Sequence, residues 1–213
     1  MHLELRRVLL LKNLNLMISQ VPNDLYLFQP WLSGEIKAPP MTPIITDLTA
    51  CNQAALKAVP DVCKVSTAIL PQIRHQYEIL PVGAAIVTHS GPKLVAREHY
   101  PKEHLSQKTL SVPGKETTAY ILSRMLLPSF LDERVCAYDQ VIPHVTKQQT
   151  DCGLLIHESS FLIKQAGLVM LDDLGELWQK KTNLPLPLGV LVIKKTLGTS
   201  MVEEVTRTLQ ESL

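Results

Sequence analysis

A chain of 213 residues, 46% of them hydrophobic, is long enough to bury a sizeable core and falls between one large domain and two small ones. Lys and Arg number 21 against 20 Asp and Glu, a formal charge of +1 without a long run of either sign, so no partner in nucleic acid or an anionic membrane is implied. The composition excludes a disordered chain, and no apolar stretch approaches the ~18 residues of a membrane span.

At the N-terminus, Arg6 and Arg7 before Val8–Leu11 have the outline of a short signal peptide. Lys12, Asn13 and Asn15 break the apolar run, whereas a secretory core needs about 7–15 apolar residues. The expectation is a cytoplasmic protein. Cys51, Cys63, Cys136 and Cys152 form no C-x-x-C pair and no zinc spacing, so they are expected to be structural thiols in a reducing compartment.

In chain order, residues 14–19 predict a strand, and Pro22-Asn23-Asp24 turns into a short helix carrying Leu25, Phe28 and Trp31. A proline-rich connection leads to a strand at 44–46, and Asp47 is a candidate N-cap for a helix over 48–59. Residues 62–66 predict a strand and 67–77 a helix with Pro71 near its first turn. Short apolar runs at 84–88 and 93–96 are joined by the turn Ser90-Gly91-Pro92, and 97–108 is expected to be a solvated connector. Then come a strand at 109–112, a helix at 117–127, a strand at 134–138 and a helix around 142–149. A strand at 151–157, an extended run at 168–172, a helix at 174–181, a strand at 190–194 and a terminal amphipathic helix at 199–213 complete the chain. This alternation predicts an α/β fold with parallel pairing. The connector near 97 and the prolines near 185 suggest two lobes, 1–97 with 192–213 and 98–191.

The residues placed for chemistry sit where strands turn into helices. The apolar run from Asp151 ends in His157-Glu158-Ser159-Ser160, and in α/β sheets ligands bind beyond the carboxyl ends of strands. Imidazole titrates near 6.5, which suits acid–base work at neutral pH, although a histidine at such a point is more often structural than catalytic. Asp24 could hold a ligand hydroxyl or simply cap a helix, and the same choice applies to Ser66 after Lys64-Val65. Gly114-Lys115-Glu116-Thr117-Thr118-Ala119 is the best of these turns, since a helix N-terminus after a glycine turn offers free amides, and here threonine hydroxyls, to a carboxylate or phosphate. His75, His99, His104 and His144 are expected on the surface, with His89 ranking second to His157. No P-loop, no G-x-G-x-x-G and no G-x-S-x-G elbow occurs, so no cofactor is implied and nucleophilic acyl transfer is disfavoured. Nor does any metal-ligand spacing occur.

Val112-Pro113-Gly114-Lys115-x-Thr117-Thr118-Ala119, Gly153-Leu154-Leu155-Ile156-His157-Glu158-Ser159-x-Phe161, Asp173-Leu174-Gly175-Glu176-Leu177-Trp178 and Leu184-Pro185-Leu186-Pro187-Leu188-Gly189 follow one another in order. Together with Pro22-Asn23-Asp24, Lys64-Val65-Ser66 and Gly91-Pro92-x-Leu94-Val95-Ala96, they resemble the 1,4-dihydroxy-6-naphthoate synthases of the futalosine route to menaquinone, over roughly residues 14–200. The resemblance implies a two-lobed fold like the type II periplasmic binding proteins, C-terminally shortened here, with the substrate held in a cleft. It implies a carbon–carbon lyase without metal or cofactor, in which His157 is the general base and Asp24, Ser66, Thr117, Thr118 and Ala119 approach a small-molecule carboxylate substrate. A non-catalytic small-carboxylate binding protein of this fold and the chorismate dehydratase of the same pathway are the alternatives. Self-association into a homo-oligomer is left open.

Overall fold

The computed structural model describes residues 13–213; the leader-like residues 6–11 lie outside the described residues. In chain order the elements are β1 (Leu14–Ser19), α1 (Pro22–Leu32), β2 (Met41–Thr46), α2 (Leu48–Leu56), β3 (Val62–Ser66), α3 (Leu70–Ile73), β4 (Tyr77–Ile79), β5 (Ala85–Val87) and β6 (Lys93–Ala96). They continue with β7 (Thr109–Val112), α4 (Thr118–Leu126), β8 (Asp132–Val135), α5 (Val141–Thr146), β9 (Cys152–Leu155), β10 (Val169–Asp173), α6 (Leu174–Thr182), β11 (Leu186–Lys194) and α7 (Thr199–Glu211). The chain divides into two compact units: the residues up to Ala84 together with Gly189–Leu213, and the intervening Ala85–Leu188.

In the first unit the strand order is β2-β1-β3-β11-β4. β1 runs parallel to β2 and to β3, whereas β11 runs antiparallel to β3 and to β4. Alternation along β11 explains why its apolar run is unbroken. Leu191 and Ile193 join Leu14, Leu16, Ile18, Phe28, Trp31, Val205 and Leu209 in one core layer. Val190 and Val192 join Cys51, Ala55, Cys63, Val65, Ile73 and Tyr77 in another. A strand covered on both faces has no position left for a polar residue. Burying each of these large side chains stabilises the unit by roughly 1.5–3 kcal/mol. Asp47 caps α2 as expected, its Oδ1 accepting from Ala50 N–H at 2.8 Å.

The second unit is a sheet of order β10-β6-β9-β7-β8, with β7 parallel to both β8 and β9 and with β6 antiparallel to β9 and β10. Two motifs of the sequence meet in its backbone. Ser90-Gly91-Pro92 passes so close to the start of α6 that a Cβ on Gly175 would lie 2.3 Å from the Ser90 carbonyl carbon. Leu174 N–H donates to Pro92 O at 2.9 Å. Asp173 caps the helix through Gly175 N–H at 2.8 Å and forms a partly buried ion pair with Lys93. Glycines stand here because two backbones touch.

Several expectations need correction. Both sheets are mixed, because β11 returns antiparallel in one and β6 does so in the other. Residues 67–77 do not form one helix. A 3-10 turn at Thr67–Ile69 and the single turn α3 give way to β4, where Tyr77 is buried, pairs with Lys194 and donates its hydroxyl to Pro60 O at 2.7 Å. Strand pairing and burial overrode local helical spacing. The supposed solvated connector contains a 3-10 segment, Lys102–Gln107, and contributes Tyr100 and Leu105 to the core of the second unit. β8 begins two residues before the expected position because Asp132 pairs with Thr109. Strand β9 stops at Leu155, so His157 begins the following 3-10 turn rather than ending a strand.

Candidate functional site

In each unit the functional candidates gather at the carboxyl ends of parallel strands, the edge where α/β sheets bind ligands. In the first unit, β1 delivers Ser19 and then Asp24 on the first turn of α1, while β3 delivers Lys64 and Ser66. Asp24 is no helix cap, since the N-cap position is Val21 and makes no side-chain cap. Its carboxylate is buried at 2% exposure and paired with Lys64 Nζ at 2.8 Å, and it accepts a short hydrogen bond from Ser19 Oγ. Lys64 Nζ also donates to Gly83 O at 2.9 Å. A buried charge pair is stable only when its remaining hydrogen-bonding capacity is met, and these two contacts help to meet it.

Ser66 is fully buried and does not cap either. Its N–H donates to Asn52 Oδ1 at 2.8 Å, and its Oγ accepts from Asn52 Nδ2 at 2.9 Å. A two-point clasp of this kind sets where β3 ends. Thr67, the next residue, has a buried Oγ1 without a hydrogen-bond partner among the described residues, and a hydroxyl left in that state marks a place for water or ligand. Ser19 and Asn52 carried no signal in the sequence, and Thr67 stood out only as a hydroxyl of the Lys64–Thr67 turn. Lys64 was seen only as part of a turn, yet its charge two residues before Ser66, on the same face of an otherwise apolar strand, was a readable signal.

In the second unit, β8, β7 and β9 lie side by side and parallel, with Val112 paired to Val135 and Ser111 to Gly153. Their carboxyl ends therefore bring Tyr138, the Gly114–Ala119 turn and His157 to one edge. Gly114 has φ 146°, a backbone open to glycine, and this turns the chain from β7 into α4. Thr117 is the buried N-cap. Its Oγ1 donates to Gly114 O at 2.8 Å and accepts from Tyr120 N–H at 3.2 Å. Thr118 Oγ1 donates to Leu188 O at 2.7 Å, Ala119 is buried in the core of this unit, and Lys115 is exposed.

His157 is half-buried, with φ 55° in the left-handed region. Histidine is among the residues that tolerate this conformation, and such backbone positions cluster at functional sites. Its carbonyl accepts from Ser160 Oγ at 3.0 Å, and its ring meets Tyr138 edge-on, with centroids 5.7 Å apart at 85°. A groove of about 430 Å³ beside it is lined by Tyr138, Asp139, Ile142, Glu158, Ser159 and Leu162, among others.

His75, His89, His99 and His104 are exposed. His144 is not, contrary to expectation: it is half-buried and hydrogen-bonded through Nδ1 to the buried Ser111 Oγ at 3.0 Å. This is a structural bond, since Ser111 Oγ also meets Thr150 Oγ1 at 2.9 Å and Ser111 lies mid-strand in β7. All four cysteines are free. Burial, with the neighbouring Asp151 charge, pushes the Cys152 thiol up to about 12, which leaves it inert as a nucleophile. Among the described residues no group of three or more His, Cys, Asp or Glu could hold a metal ion, and no helix is long and apolar enough to cross a membrane.

Two mixed sheets of these strand orders are the architecture of periplasmic-type binding proteins. The fold matches the alkanesulfonate-binding protein SsuA of Xanthomonas axonopodis pv. citri with a TM-score of 0.67 at 14% identity, covering 94% of this chain and 72% of that one. A crystal structure of an Archaeoglobus fulgidus protein is more similar, with a TM-score of 0.89 at 28% identity over 94% of this chain and 75% of that one. A family model described as menaquinone biosynthesis matches residues 14–213, and the chain belongs to that family. It is 34% identical over 201 residues to the 1,4-dihydroxy-6-naphthoate synthase of Thermus thermophilus, covering 94% of this chain and 73% of that enzyme. Identity to the Streptomyces coelicolor enzyme of the same name is 32% over 206 residues, covering 94% and 72%.

Proposed function

We propose that the chain is a carbon–carbon lyase of menaquinone biosynthesis, converting cyclic dehypoxanthinyl futalosine to 1,4-dihydroxy-6-naphthoate and dihydroxyacetone, with His157 as general base. The observation that carries the activity is the pair of naphthoate synthases that align with nearly the whole chain. Support for the base comes from the strand ends: the imidazole stands at the same sheet edge as the N-terminus of α4. That helix start, with Thr117 and Thr118, is suited to a substrate carboxylate through amides and dipole. Within the first unit, Ser66 and the unpartnered Thr67 hydroxyl suit polar groups of a ligand, and Asp24 acts through Lys64 rather than by contact.

In this reading His157 takes a proton from the bound cyclic substrate, and the electron pair left behind is held on an enolate-like oxygen. When the carbon–carbon bond breaks, its electron pair stays on one product fragment, which takes the proton back from the imidazolium. Amide donors fixed at the start of α4 stabilise the charge without reorganising. The chemistry asks for a base and fixed dipoles only.

His157→Ala should abolish turnover of the cyclic substrate while product binding stays within about tenfold, the pattern of an interaction made in the transition state. Turnover at the parent rate would overturn the assignment of the base. A rise in melting temperature with naphthoate product, in a parent protein that shows no turnover, would instead identify a binding protein of this fold.

A further inference from the structure

We propose that Tyr138 is a positioning residue for His157, holding the imidazole at the carboxyl edge of the second unit's sheet through an edge-to-face ring contact. This rests on the reading of His157 as the base.

The two residues are 19 positions apart in sequence and come from different strand ends. Tyr138 opens the 3-10 turn Tyr138–Gln140 after β8, and His157 opens the 3-10 turn His157–Leu162 after β9. Both strands run parallel to β7, between them, so the topology carries both turns to one edge. There the rings stand at 85° with centroids 5.7 Å apart, within the range of favourable aromatic pairs.

The backbone of His157 is constrained separately. Its φ of 55° leaves it few neighbouring conformations, and Ser160 Oγ ties its carbonyl at 3.0 Å. Backbone constraint does not choose the side-chain rotamer, and an imidazole on a strand-end turn has several staggered wells. Tyr138 supplies a wall on one side of the ring. The residues that follow His157, Glu158 and Ser159, line the same 430 Å³ groove as Tyr138, so this wall borders open space rather than core. Tyr138 itself is half-buried and belongs to none of the apolar core clusters. A ring that packs edge-on against a candidate base at the border of a groove is placed to hold the orientation of that base. A base held in one rotamer spends more of its time in the productive geometry, which raises kcat without tightening substrate binding.

The test compares Tyr138→Phe and Tyr138→Leu by steady-state kinetics and by NMR of ring-labelled histidine, with the His157 signals assigned by their absence in His157→Ala. The Leu variant should shift the His157 ring-proton resonances, through loss of the Tyr138 ring current, and lower kcat about tenfold with KM within about twofold. The Phe variant should keep both close to the parent. Unmoved His157 resonances in the Leu variant, or a Phe variant as impaired as the Leu variant, would overturn the proposal. Should the Leu variant fail to fold, loss of the His157 shift or of kcat in the Phe variant does the same. Full activity in His157→Ala refutes the base, and the positioning role with it. A dead His157→Ala beside an unimpaired Leu variant refutes only the role of Tyr138.

Discussion

Lys64 illustrates how much one side chain can carry. A lysine at 6% exposure in the centre of a sheet is tolerable only because Asp24 and the Gly83 carbonyl take up its charge and its protons. Removing one partner leaves the other buried and uncompensated. Lys64→Met should therefore cost about 3–5 kcal/mol in urea unfolding. The double variant Lys64→Met with Asp24→Asn should recover a good part of that loss, because neither charge is then left alone. A loss in the double variant equal to the sum of the losses in Lys64→Met and in Asp24→Asn alone would show that the pair has no coupling. From sequence, Asp24 could be narrowed only to a cap or a ligand residue, because its partner lies 40 positions away and no local spacing relates the two. His157 was legible for the opposite reason: the signal was local, an apolar run followed directly by a titratable group.

At the scale of elements, strands with continuous or alternating apolar residues were readable. β1, β3, β6 and β7 lie where the pattern put them. The errors fell where pairing decides the outcome. β4 was hidden in a helical spacing, and β2 and β11 each begin several residues earlier than their apolar runs suggest. The glycines of Ser90-Gly91-Pro92 and Leu174-Gly175 were visible as turn and motif, but not as two parts of one contact. That contact gives a direct test. Gly175→Ala would place a methyl group 2.3 Å from one backbone atom and 2.4 Å from another, neither of which can swing aside. The variant should lose about 2–4 kcal/mol on thermal unfolding, at the upper end of single-site effects. Gly153→Ala is the comparison, since the atoms nearest its Cβ belong to side chains, those of Val141 and Val145 at 2.7 and 2.8 Å and that of Val95 at 3.6 Å. It should cost roughly half as much.

At the scale of the molecule, near-neutral net charge leaves the acid limb of stability to individual carboxylates. Asp151 is one of them. Desolvation acts to raise its pKa, but hydrogen bonds from the Thr109 N–H and hydroxyl, both at 2.9 Å, together with Lys108 and Arg97, hold it below the ordinary 3.8. A depressed carboxylate stabilises the fold fully above its unfolded value and loses that contribution as pH falls through the folded one. Asp151→Ala should therefore cost about 2 kcal/mol at pH 7, and the deficit should shrink as the pH is lowered through and below 3.8 in urea titrations. A deficit independent of pH would point to packing alone. By itself the sequence determined the fold class, most of the strands, the family motifs and the candidate base, because periodicity, turn chemistry and strand-end position are all local signals. Only the tertiary structure decided which strands are antiparallel, that Asp24 answers Lys64, that Ser66 is clasped by Asn52, and that Tyr138 stands against His157. Each of these joins residues brought together by pairing and burial across the chain, and no spacing in a linear sequence encodes that energy.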